Sequence, residues 1–517
     1  MNLLRDDWIP VKKSAEYKRV SLSDVLCTKD CGTVFLPRDD LQFATVQMCI
    51  CLVQSIFTPK DEKELRSRHK TLMSREEYSE ISKPFVDLFF VDEEKGGFMQ
   101  DSRTKAEKET GIQKLFVGLP EGDNSHTMFV PPDEITKICP SCAAIALYNW
   151  ASGASSFGGG FKNPLRGIAP ISVLIYDNNL RNMIWNNVIP KNSDWYKLYI
   201  KGENLPVWKK TLESGALIDV SGIGIMRGLF WQPASVLLRW RKENGVCDCC
   251  GLSYNNFCYK FDKQKFKYEL SEKWKHPHSS LKKGENSYYV PSFRAEAPAW
   301  EHLSEIFPEG RVGECPPVVI ENYSNVILRE DLHIQGFKQK TTLSVGGYVI
   351  DKNKSALIIE RHHHLIMLSN SLLSIGTEGE GLLLKDLRLL LDTAIEIKKS
   401  LKNSITNFFK VILNSSNRKG EKDVDYYGFV KKAEKMFFQQ SELLILESLS
   451  SYNDNTLLVM ISELKRICER ILQEITYPWL ANSRGAKAFI KAEDDLKKRI
   501  NTIKSKFKNG GKDESVK

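Results

Sequence analysis

The sequence predicts an α+β fold in which a large mixed α/β domain is followed by a C-terminal four-helix bundle. Residues 1–375 alternate short apolar runs with turn-forming segments, whereas residues 382–508 contain one proline and long helical periodicity. At 517 residues the chain is also longer than one hydrophobic core usually organises. We expect the polar residues 509–517 to form a disordered tail.

The first domain has patterns typical of both helices and strands. Apolar residues have helical spacing near 40–58 and 142–151. Extended, β-rich stretches occur at residues 171–176, 229–239, 257–269 and 342–360. Because no low-complexity linker divides this part of the sequence, we expect one domain with long loops.

The second domain consists of four predicted helices. In the first helix, apolar residues recur at steps of three and four, and Lys398 is the only break in the stripe. Segments 414–422, 450–454 and 477–483 contain turn formers and separate the helices. Such wide apolar stripes are typical of a bundle. Its polar faces are rich in lysine, which is usual for a solvated surface; a docking surface for subunits or nucleic acid is the alternative.

Composition and charge restrict the class of protein. Hydrophobic residues make up 42% of the chain and charged residues 27%, as in globular proteins. The run closest to membrane-spanning composition, residues 43–57, is interrupted by Gln47 and Gln54. Acidic residues directly follow the short apolar N-terminus, so we expect no signal peptide, a cytoplasmic location and no membrane partner. The net charge of +9 is a weak indication of an anionic partner.

Two groups of closely spaced cysteines suggest a metal site. Cys139 and Cys142 form one C-x-x-C pair, and Cys247 and Cys250 form another, with Cys249 between them. Together the pairs provide the four thiolates of a tetrahedral structural Zn²⁺ site. We predict zinc on these four residues, with Cys249 either replacing Cys250 or taking no part. A redox dithiol is less favoured, because neither pair lies at the strand–helix junction of a thioredoxin-like unit.

The histidines form no recognisable catalytic motif. His362–His364 follow Glu360 in an extended stretch, and His276 and His278 flank a proline. Because adjacent side chains of a strand point to opposite faces, we interpret these histidines as surface or structural residues. The sequence also lacks G-x-S-x-G, H-E-x-x-H and P-loop motifs.

Three consecutive glycines, Gly158, Gly159 and Gly160, lie between two phenylalanines and precede Lys162 and Arg166. Glycine backbone can approach an anion or the floor of a groove, and the two cations can neutralise phosphates. For the glycines alone, a loop that crosses closely over a neighbouring strand is the simpler explanation. The residues also leave open whether Lys162 and Arg166 lie near phosphates or brace the loop.

Three further stretches extend this pattern. Residues 128–133 carry an aromatic and an aliphatic residue on a proline-stiffened loop, and residues 351–355 form a polar hairpin tip with a basic residue. Residues 259–268 alternate lysines with aromatic residues, as a strand with one cationic face does. Together with the glycines, these stretches suggest a surface that meets duplex DNA.

With these motifs the sequence resembles the large subunit of Cascade, the type I-E CRISPR surveillance complex. The resemblance runs from the start of the chain into the helical region, and "FGGGFK-x-x-LRG" and "RGLFWQPA" are its most specific motifs. The shared stretches are residues 1–11, 36–40, 98–100, 139–149, 157–167, 227–234, 247–251, 276–279, 297–300, 346–348, 360–363 and 440–445.

This resemblance implies a protein that is not itself an enzyme. It implies recognition of the protospacer-adjacent motif (PAM) in double-stranded DNA, mainly from the minor groove. It further implies opening of the duplex for an R-loop, in which the guide RNA (crRNA) reads the sequence, and recruitment of a helicase–nuclease for antiviral defence. The helical bundle of the family contacts the small-subunit dimer and helps to hold the displaced strand.

The resemblance also implies roles for individual residues. Three elements converge on the minor groove in the family: a glycine-rich loop, a lysine-bearing strand and a PAM-contacting loop. They match Ser156, Phe157, Gly158, Gly159 and Gly160 with Lys162 beside them, Lys263 and Lys265, and Phe129 and Val130. A wedge hairpin that separates the first base pairs matches Asn353, Lys354 and Ser355.

Two positions depart from the family pattern. Pro131, which has no backbone N–H, stands where relatives commonly carry a polar residue. Lys354 or Ser355 stands in the region where the wedge of relatives uses a glutamine.

Two other classes of function are weighed against DNA recognition. One is an enzyme, either a metal-dependent nuclease that uses His362–His364 with Glu360 or a zinc enzyme at the cysteines. The other is a scaffold that only bridges subunits through the bundle. An enzyme would be recognised by cleavage of DNA when the isolated chain is incubated with a divalent metal. A scaffold would be recognised by DNA binding that stays unchanged when the PAM is substituted.

Overall fold

The computed structural model divides into two compact units. Unit 1 comprises Met1–Ala295, Pro308–Phe337 and Thr342–Leu365, and unit 2 comprises Glu296–Phe307, Lys338–Thr341 and Ile366–Lys517. The domain limits derived from the sequence stay a prediction. The residues that the structure describes are 1–93, 96–105, 109–119, 134–153, 157–285, 287–295, 297–308, 312–329, 340–351, 357–375, 382–412 and 427–509.

The strands form small, mainly antiparallel sheets, together with one parallel pair. In chain order they are β1 (Ile9–Lys13), β2 (Glu16–Val20), β3 (Thr33–Val34), β4 (Thr110–Gly111), β5 (Ser172–Ile175), β6 (Ala216–Ile218), β7 (Ala234–Val246), β8 (Ser253–Lys265), β9 (Tyr268–Leu270), β10 (Lys282–Lys283), β11 (Tyr288–Tyr289), β12 (Lys340–Asp351), β13 (Leu357–Ser369), β14 (Ser374–Ile375) and β15 (Leu382–Leu383). The sheets have the orders β2-β1-β3, β4-β8-β7 and β13-β12-β5, and the pairs are β6-β9 (parallel), β10-β11 and β14-β15.

Most helices of unit 1 are short, whereas unit 2 contains four long helices and one short one among the described residues. In chain order they are α1 (Leu22–Cys27), α2 (Asp39–Ile56), α3 (Glu62–Lys70), α4 (Arg75–Ser82), α5 (Pro140–Gly153), α6 (Leu180–Asn186), α7 (Asp194–Tyr199), α8 (Ile225–Leu229), α9 (Leu303–Ile306), α10 (Val318–Asn322), α11 (Lys385–Ile412), α12 (Tyr427–Ser450), α13 (Thr456–Thr476) and α14 (Ser483–Asn509). Together with the strands they confirm the predicted fold class.

Helix α2 lies at the centre of unit 1. It is apolar on nearly all faces, and nearly all of its residues are buried, as expected for a helix that is surrounded by other elements. Its two interrupting glutamines find partners: Gln47 bonds to His278 Nδ1 at 3.0 Å, and Gln54 exchanges two hydrogen bonds with the backbone of Ile189. In the described part of the chain, no helix is both long and apolar enough to span a membrane.

Strands β7 and β8 form a long antiparallel ribbon. The pairing runs from Val246↔Ser253, next to the second cysteine group, to Ala234↔Lys265 at the other end. Helix α5 lies alongside β8. Two residues before α5, Ile138 exchanges backbone hydrogen bonds of 3.1 and 2.8 Å with Cys258 of β8. Both α5 and β8 therefore start near the cysteines and end near the glycine-rich segment.

Unit 2 is built around the four long helices. Helix α11 packs against α12, α13 and α14, and its buried residues follow the predicted apolar stripe. Lys398, the break in that stripe, forms a buried ion pair with Glu301 and lies 4.7 Å from the centre of the Phe438 ring. The charged residue is thus accommodated inside the unit by a partner 97 residues earlier in the sequence.

Candidate nucleic-acid interface and metal centre

The glycine-rich loop is anchored by an aromatic stack. Phe157 is buried and lies parallel to Trp150 of α5, with ring centres 3.4 Å apart and an interplanar angle of 10°. Its ring centre is also 5.4 Å from that of Phe261 on β8 and 5.8 Å from that of Phe161. These contacts anchor Phe157 to α5 and β8, and Phe161 to Phe157, since aromatic pairs add to stability beyond the area that they bury.

The three glycines themselves are exposed at the surface. Gly158 and Gly160 have φ values of +122° and +82°, which side-chain-bearing residues rarely adopt. A Cβ on Gly160 would lie 2.7 Å from Nζ of Lys265, whereas a Cβ on Gly159 would have no neighbour within 4 Å. In the free protein the loop thus presents backbone to solvent, and the fold itself leaves room for a side chain at Gly159.

The lysine strand lies directly beside this loop. Lys263 and Lys265 belong to the last three residues of β8 and pair with Val236 and Ala234 of β7. Nζ of Lys263 is 5.2 Å from the ring centre of Phe157, and Nζ of Lys265 is 5.5 Å from that of Phe161. At such distances a cation is attracted to the face of the ring, so the aromatic residues hold the two ammonium groups next to the glycines.

Lys162 and Arg166 have different roles. Lys162 forms an exposed ion pair of 2.9 Å with Glu269. Arg166 is buried and donates to the carbonyl of Ser152 and to the hydroxyls of Ser172 and Ser279 at 2.7–3.2 Å. Burial lowers the pKa of Arg166 to about 10. Arg166 therefore braces the segment after the loop.

An open groove adjoins the loop, and no pattern in the sequence indicates it. It has a volume of about 620 Å³ and begins at Lys162 and Pro164. It is also lined by Tyr268, Lys273 and Lys283, together with glutamates, so its charge is mixed. The sequence does not indicate the role of Trp150 either, because the stacking of a helix residue on a loop residue produces no periodic pattern.

The cysteine pairs meet in unit 1. The Sγ atoms of Cys139, Cys142, Cys247 and Cys250 all lie within 4.8 Å of one another, and all four residues are buried. Cys139 Sγ is 3.9 Å from Cys250 Sγ, and the Cys139 N–H donates to Cys247 Sγ at 3.3 Å. Cys249 is buried but does not belong to this group. The arrangement can hold one metal ion.

Two turns bring the thiols together. Cys139 directly precedes α5, and Cys142 lies in its first turn, where Pro140 suits the first helical position. Cys247 and Cys250 lie in the connection between β7 and β8, which Gly251 completes with a φ of +71°. The local geometry of a helix start and of a hairpin turn therefore explains why each pair has C-x-x-C spacing.

The electrostatics of the cluster favour a bound cation. Hydrogen bonds from Cys139, followed by those from Cys142, lower the pKa of Cys247 and of Cys250 below the usual range of a thiol, whereas the pKa of Cys139 and of Cys142 is raised well above that range. Without a cation, two of the four cysteines are therefore thiolates and the other two are thiols that donate to them. Thiolates are costly in a buried site unless a cation compensates them. The buried hydroxyl of Tyr17 has no hydrogen-bond partner among the described residues, and the pKa of Tyr17 is raised first by burial and then by Cys250 and Cys142.

Comparison with known proteins identifies the family. A family model for CRISPR-associated protein Cse1 matches residues 2–475. The chain belongs to the Cse1 family. Cse1, also named CasA, is the large subunit of a CRISPR surveillance complex, and the membership confirms the resemblance drawn from the motifs.

Solved structures with the Cse1 fold cover nearly the whole chain. CasA of Thermus thermophilus has a TM-score of 0.71 at 17% identity, with 97% of this chain and 99% of that chain covered. Cse1 of Acidimicrobium ferrooxidans has a TM-score of 0.68 at 16% identity, covering 98% and 99%. A chain of a CRISPR RNA-guided surveillance complex has a TM-score of 0.64 at 13% identity, covering 96% and 99%. At these identities the similarity shows the fold.

Several predicted Cse1 site residues lie outside the described part of the chain. Ser156, at the start of the glycine-rich loop, is one of them. So are the PAM-contacting pair Phe129 and Val130 and all three wedge residues, Asn353, Lys354 and Ser355. Their roles stay predictions.

A second group of ligand-type atoms, from Cys51, His276 and His278, is buried near α2. His276 Nδ1 accepts the backbone N–H of His278 at 3.1 Å, so its proton resides on Nε2. A metal ion on Nε2 would require that proton on Nδ1, where it would face the N–H. Burial lowers the pKa of His278 to about 3 and that of His276 well below its usual range, so both rings are neutral. We therefore interpret this group as structural.

The histidine run on β13 is divided between two faces, as expected for a strand. His363 bonds to Ser344 on one face at 2.9 Å. On the other face, His362 Nε2 lies 3.0 Å from Glu360 and His362 Nδ1 lies 2.9 Å from His364 Nε2. Because Glu360 and His364 approach opposite nitrogens of the His362 ring, the three groups do not converge on one point where a metal ion could bind.

Proposed function

We propose that this Cse1 chain is the DNA-recognition subunit of an RNA-guided complex. In this proposal it reads the PAM of double-stranded DNA from the minor groove, helps to open the duplex for R-loop formation and recruits a helicase–nuclease for antiviral defence. The observation that carries the proposal is the exposed backbone of Gly158–Gly160, next to Lys263 and Lys265.

The dimensions of the minor groove explain why glycine backbone suits this task. The groove is about 6 Å wide and about 7.5 Å deep, so a loop without side chains enters it more easily than a helix does. Backbone N–H and C=O groups can pair with the acceptors of A·T and with the amino group of guanine. The fold itself leaves space around Gly159, and therefore an incoming ligand is the feature that would exclude a side chain there.

The lysines supply the electrostatic part of the interface. Lys265 forms no ion pair with a carboxylate among the described residues, and the aromatic faces of Phe157 and Phe161 keep both ammonium groups beside the loop. Phosphates flank the minor groove on both sides, so cations next to the inserted backbone can neutralise them. Lys162 is a weaker candidate for a phosphate contact, since Glu269 already pairs with it.

We further propose the partners that this function requires. They are target DNA with a PAM, crRNA bound through the complex, the small-subunit dimer on the helical bundle, other Cascade subunits and the helicase–nuclease. The structural match to a chain of a CRISPR RNA-guided surveillance complex supports an assembly of this kind. We assign no catalytic step to this chain, and we place the protein in the cytoplasm, where foreign DNA meets the complex.

The cofactor that we propose is a structural Zn²⁺ ion held by Cys139, Cys142, Cys247 and Cys250. A Zn–S bond of about 2.3 Å separates two sulfurs of a tetrahedron by about 3.8 Å. The distance of 3.9 Å between Cys139 Sγ and Cys250 Sγ fits this value. The ion would join the start of α5 to the β7–β8 turn and supply stability rather than chemistry.

The decisive experiment is to reconstitute the complex with guide RNA and to measure its affinity for targets that carry a library of PAM sequences. PAM-dependent binding is the expected result. Binding that ignores the PAM would favour the scaffold alternative. Cleavage of DNA by the isolated chain with Mg²⁺ or Mn²⁺ would favour a nuclease.

A further inference from the structure

One charged residue from the N-terminal hairpin reaches the cysteine cluster. Arg19 lies on β2, and its terminal Nη2 is 3.2 Å from Cys139 Sγ and 3.2 Å from Cys250 Sγ. Its guanidinium carbon lies 5.4 Å from the centre of the Tyr254 ring on β8. One nitrogen of Arg19 therefore contacts a cysteine from each of the two C-x-x-C pairs.

The hydrogen-bond partners of this guanidinium in the described part of the chain are sulfur atoms. Among the described residues no carboxylate forms an ion pair with Arg19, and its buried Nε has no hydrogen-bond partner. A partly buried cation needs compensating negative charge, and sulfur atoms are its available source.

We propose that Arg19 is the charge partner of the metal centre, donating N–H···S hydrogen bonds to two of the metal-binding thiolates. The proposal rests on the zinc centre proposed above. A Zn²⁺ ion with four thiolates carries two net negative charges, and the fixed positive charge of Arg19 offsets one of them. Hydrogen bonds to ligand atoms tune a metal site, and their removal typically lowers metal affinity by about 10- to 100-fold.

This role has a consequence for the architecture of unit 1. Arg19 is 120 residues from Cys139 and 231 residues from Cys250 in the sequence. Through Arg19, the hairpin of β1 and β2 joins the same centre that links α5 to the β7–β8 turn. Loss of Arg19 is therefore expected to weaken metal retention without changing any metal ligand.

The test compares zinc binding by full-length variants. Arg19→Met keeps the length of the side chain but removes the charge and the donors, and Arg19→Lys keeps the charge without the planar fork. Lys18→Met is the matched control, because Lys18 is an exposed neighbour on the same strand. Zinc content is measured first, and then zinc affinity by competition with a chromophoric chelator. We expect Arg19→Met to lose about 10- to 100-fold in affinity, Arg19→Lys to lose less and Lys18→Met to match the parent protein.

The absorption spectrum of the Co²⁺-substituted protein provides a second test. This spectrum would not change on substitution of Arg19 if Arg19 only supported the fold. Without the guanidinium the thiolates become more electron-rich, so the sulfur-to-Co²⁺ charge-transfer band of Arg19→Met should shift to longer wavelength. If Arg19→Met does not fold, the charge-transfer band is measured in Arg19→Lys instead. We expect the band to shift there too, because an ammonium donates hydrogen bonds in a different geometry from a guanidinium. An unshifted band in Arg19→Lys would contradict the proposal.

The two ways in which the proposal can fail are distinguishable. If the parent protein contains no stoichiometric zinc and does not bind Co²⁺ through thiolates, the metal centre itself is wrong. If the parent binds zinc and Arg19→Met has the same affinity and the same cobalt spectrum, only the role of Arg19 is overturned. Tighter zinc binding by Arg19→Met would also overturn it, since the guanidinium would then compete with the metal for the thiolates.

Discussion

Gly159 and Gly160 differ in what a side chain would meet in the free protein. A Cβ at Gly160 would lie 2.7 Å from Lys265 Nζ, and the φ of +82° is strained for other residues. Gly159 has neither constraint. We therefore expect Gly159→Ala and Gly159→Asp to fold normally but to lose PAM-dependent DNA affinity, by about 10-fold and at least about 100-fold respectively. The aspartate has the larger effect because it adds both bulk and negative charge to a groove lined by phosphates.

A matched control for this prediction is Gly222→Asp. Gly222 is exposed, has no positive φ, and has no atom within 4 Å of an added Cβ. Gel-shift titration of the assembled complex with a PAM-containing duplex measures the affinities, and thermal melting checks the fold. Equal affinities for parent, Gly159→Asp and Gly222→Asp would show that the glycine-rich loop does not enter the DNA.

Lys263 and Lys265 are expected to act through phosphates. Lys263→Ala and Lys265→Ala should each reduce the slope of log affinity against log salt by about 0.9, the contribution of one phosphate contact. Lys260→Ala is the control on the same strand, because Lys260 pairs with Glu109 at 2.9 Å. DNA affinity measured at several salt concentrations tests this prediction. If the slope changes as much for Lys260→Ala as for the other two, the strand carries no specific phosphate site.

At the scale of elements, α5 and β8 connect the cysteine cluster to the glycine-rich loop. Both begin at the cysteines, and at the far end the Trp150–Phe157–Phe261 contacts join them again. Removing the metal should therefore loosen the loop as well as the cysteine turns. We expect chelation, or Cys250→Ser, to accelerate amide hydrogen exchange in residues 157–161 and 263–265. Faster exchange confined to the two cysteine turns would contradict this coupling.

At the scale of the whole molecule, the sequence predicted the features that leave a local pattern or that follow from the chemistry of a metal ligand. Helical periodicity identified the long helices, and the demand of a metal for four thiolates paired Cys139 and Cys142 with distant cysteines. It did not predict the contact of Arg19 with the thiols of Cys139 and Cys250, because contacts between distant segments leave no period in the sequence. It did not predict the stacking of Trp150 on Phe157 either, because a contact between a helix residue and a loop residue follows no fixed spacing. The role of Arg166 was undecided for a similar reason: its serine partners at 152, 172 and 279 become neighbours only in the fold.

The last prediction concerns the PAM preference of the assembled complex. In the minor groove A·T and T·A present the same two acceptors, whereas G·C adds the amino group of guanine. A reader built from glycine backbone should therefore distinguish A·T from T·A weakly and either of them from G·C more strongly. We expect an A·T to T·A exchange within the PAM to change affinity by less than about 5-fold, corresponding to less than about 1 kcal/mol, and an exchange to G·C to cost about 1–3 kcal/mol. Affinities measured over a complete PAM library test this expectation. Equal discrimination among all four base pairs would instead indicate side-chain readout from the major groove, since only there does each pair present a distinct pattern.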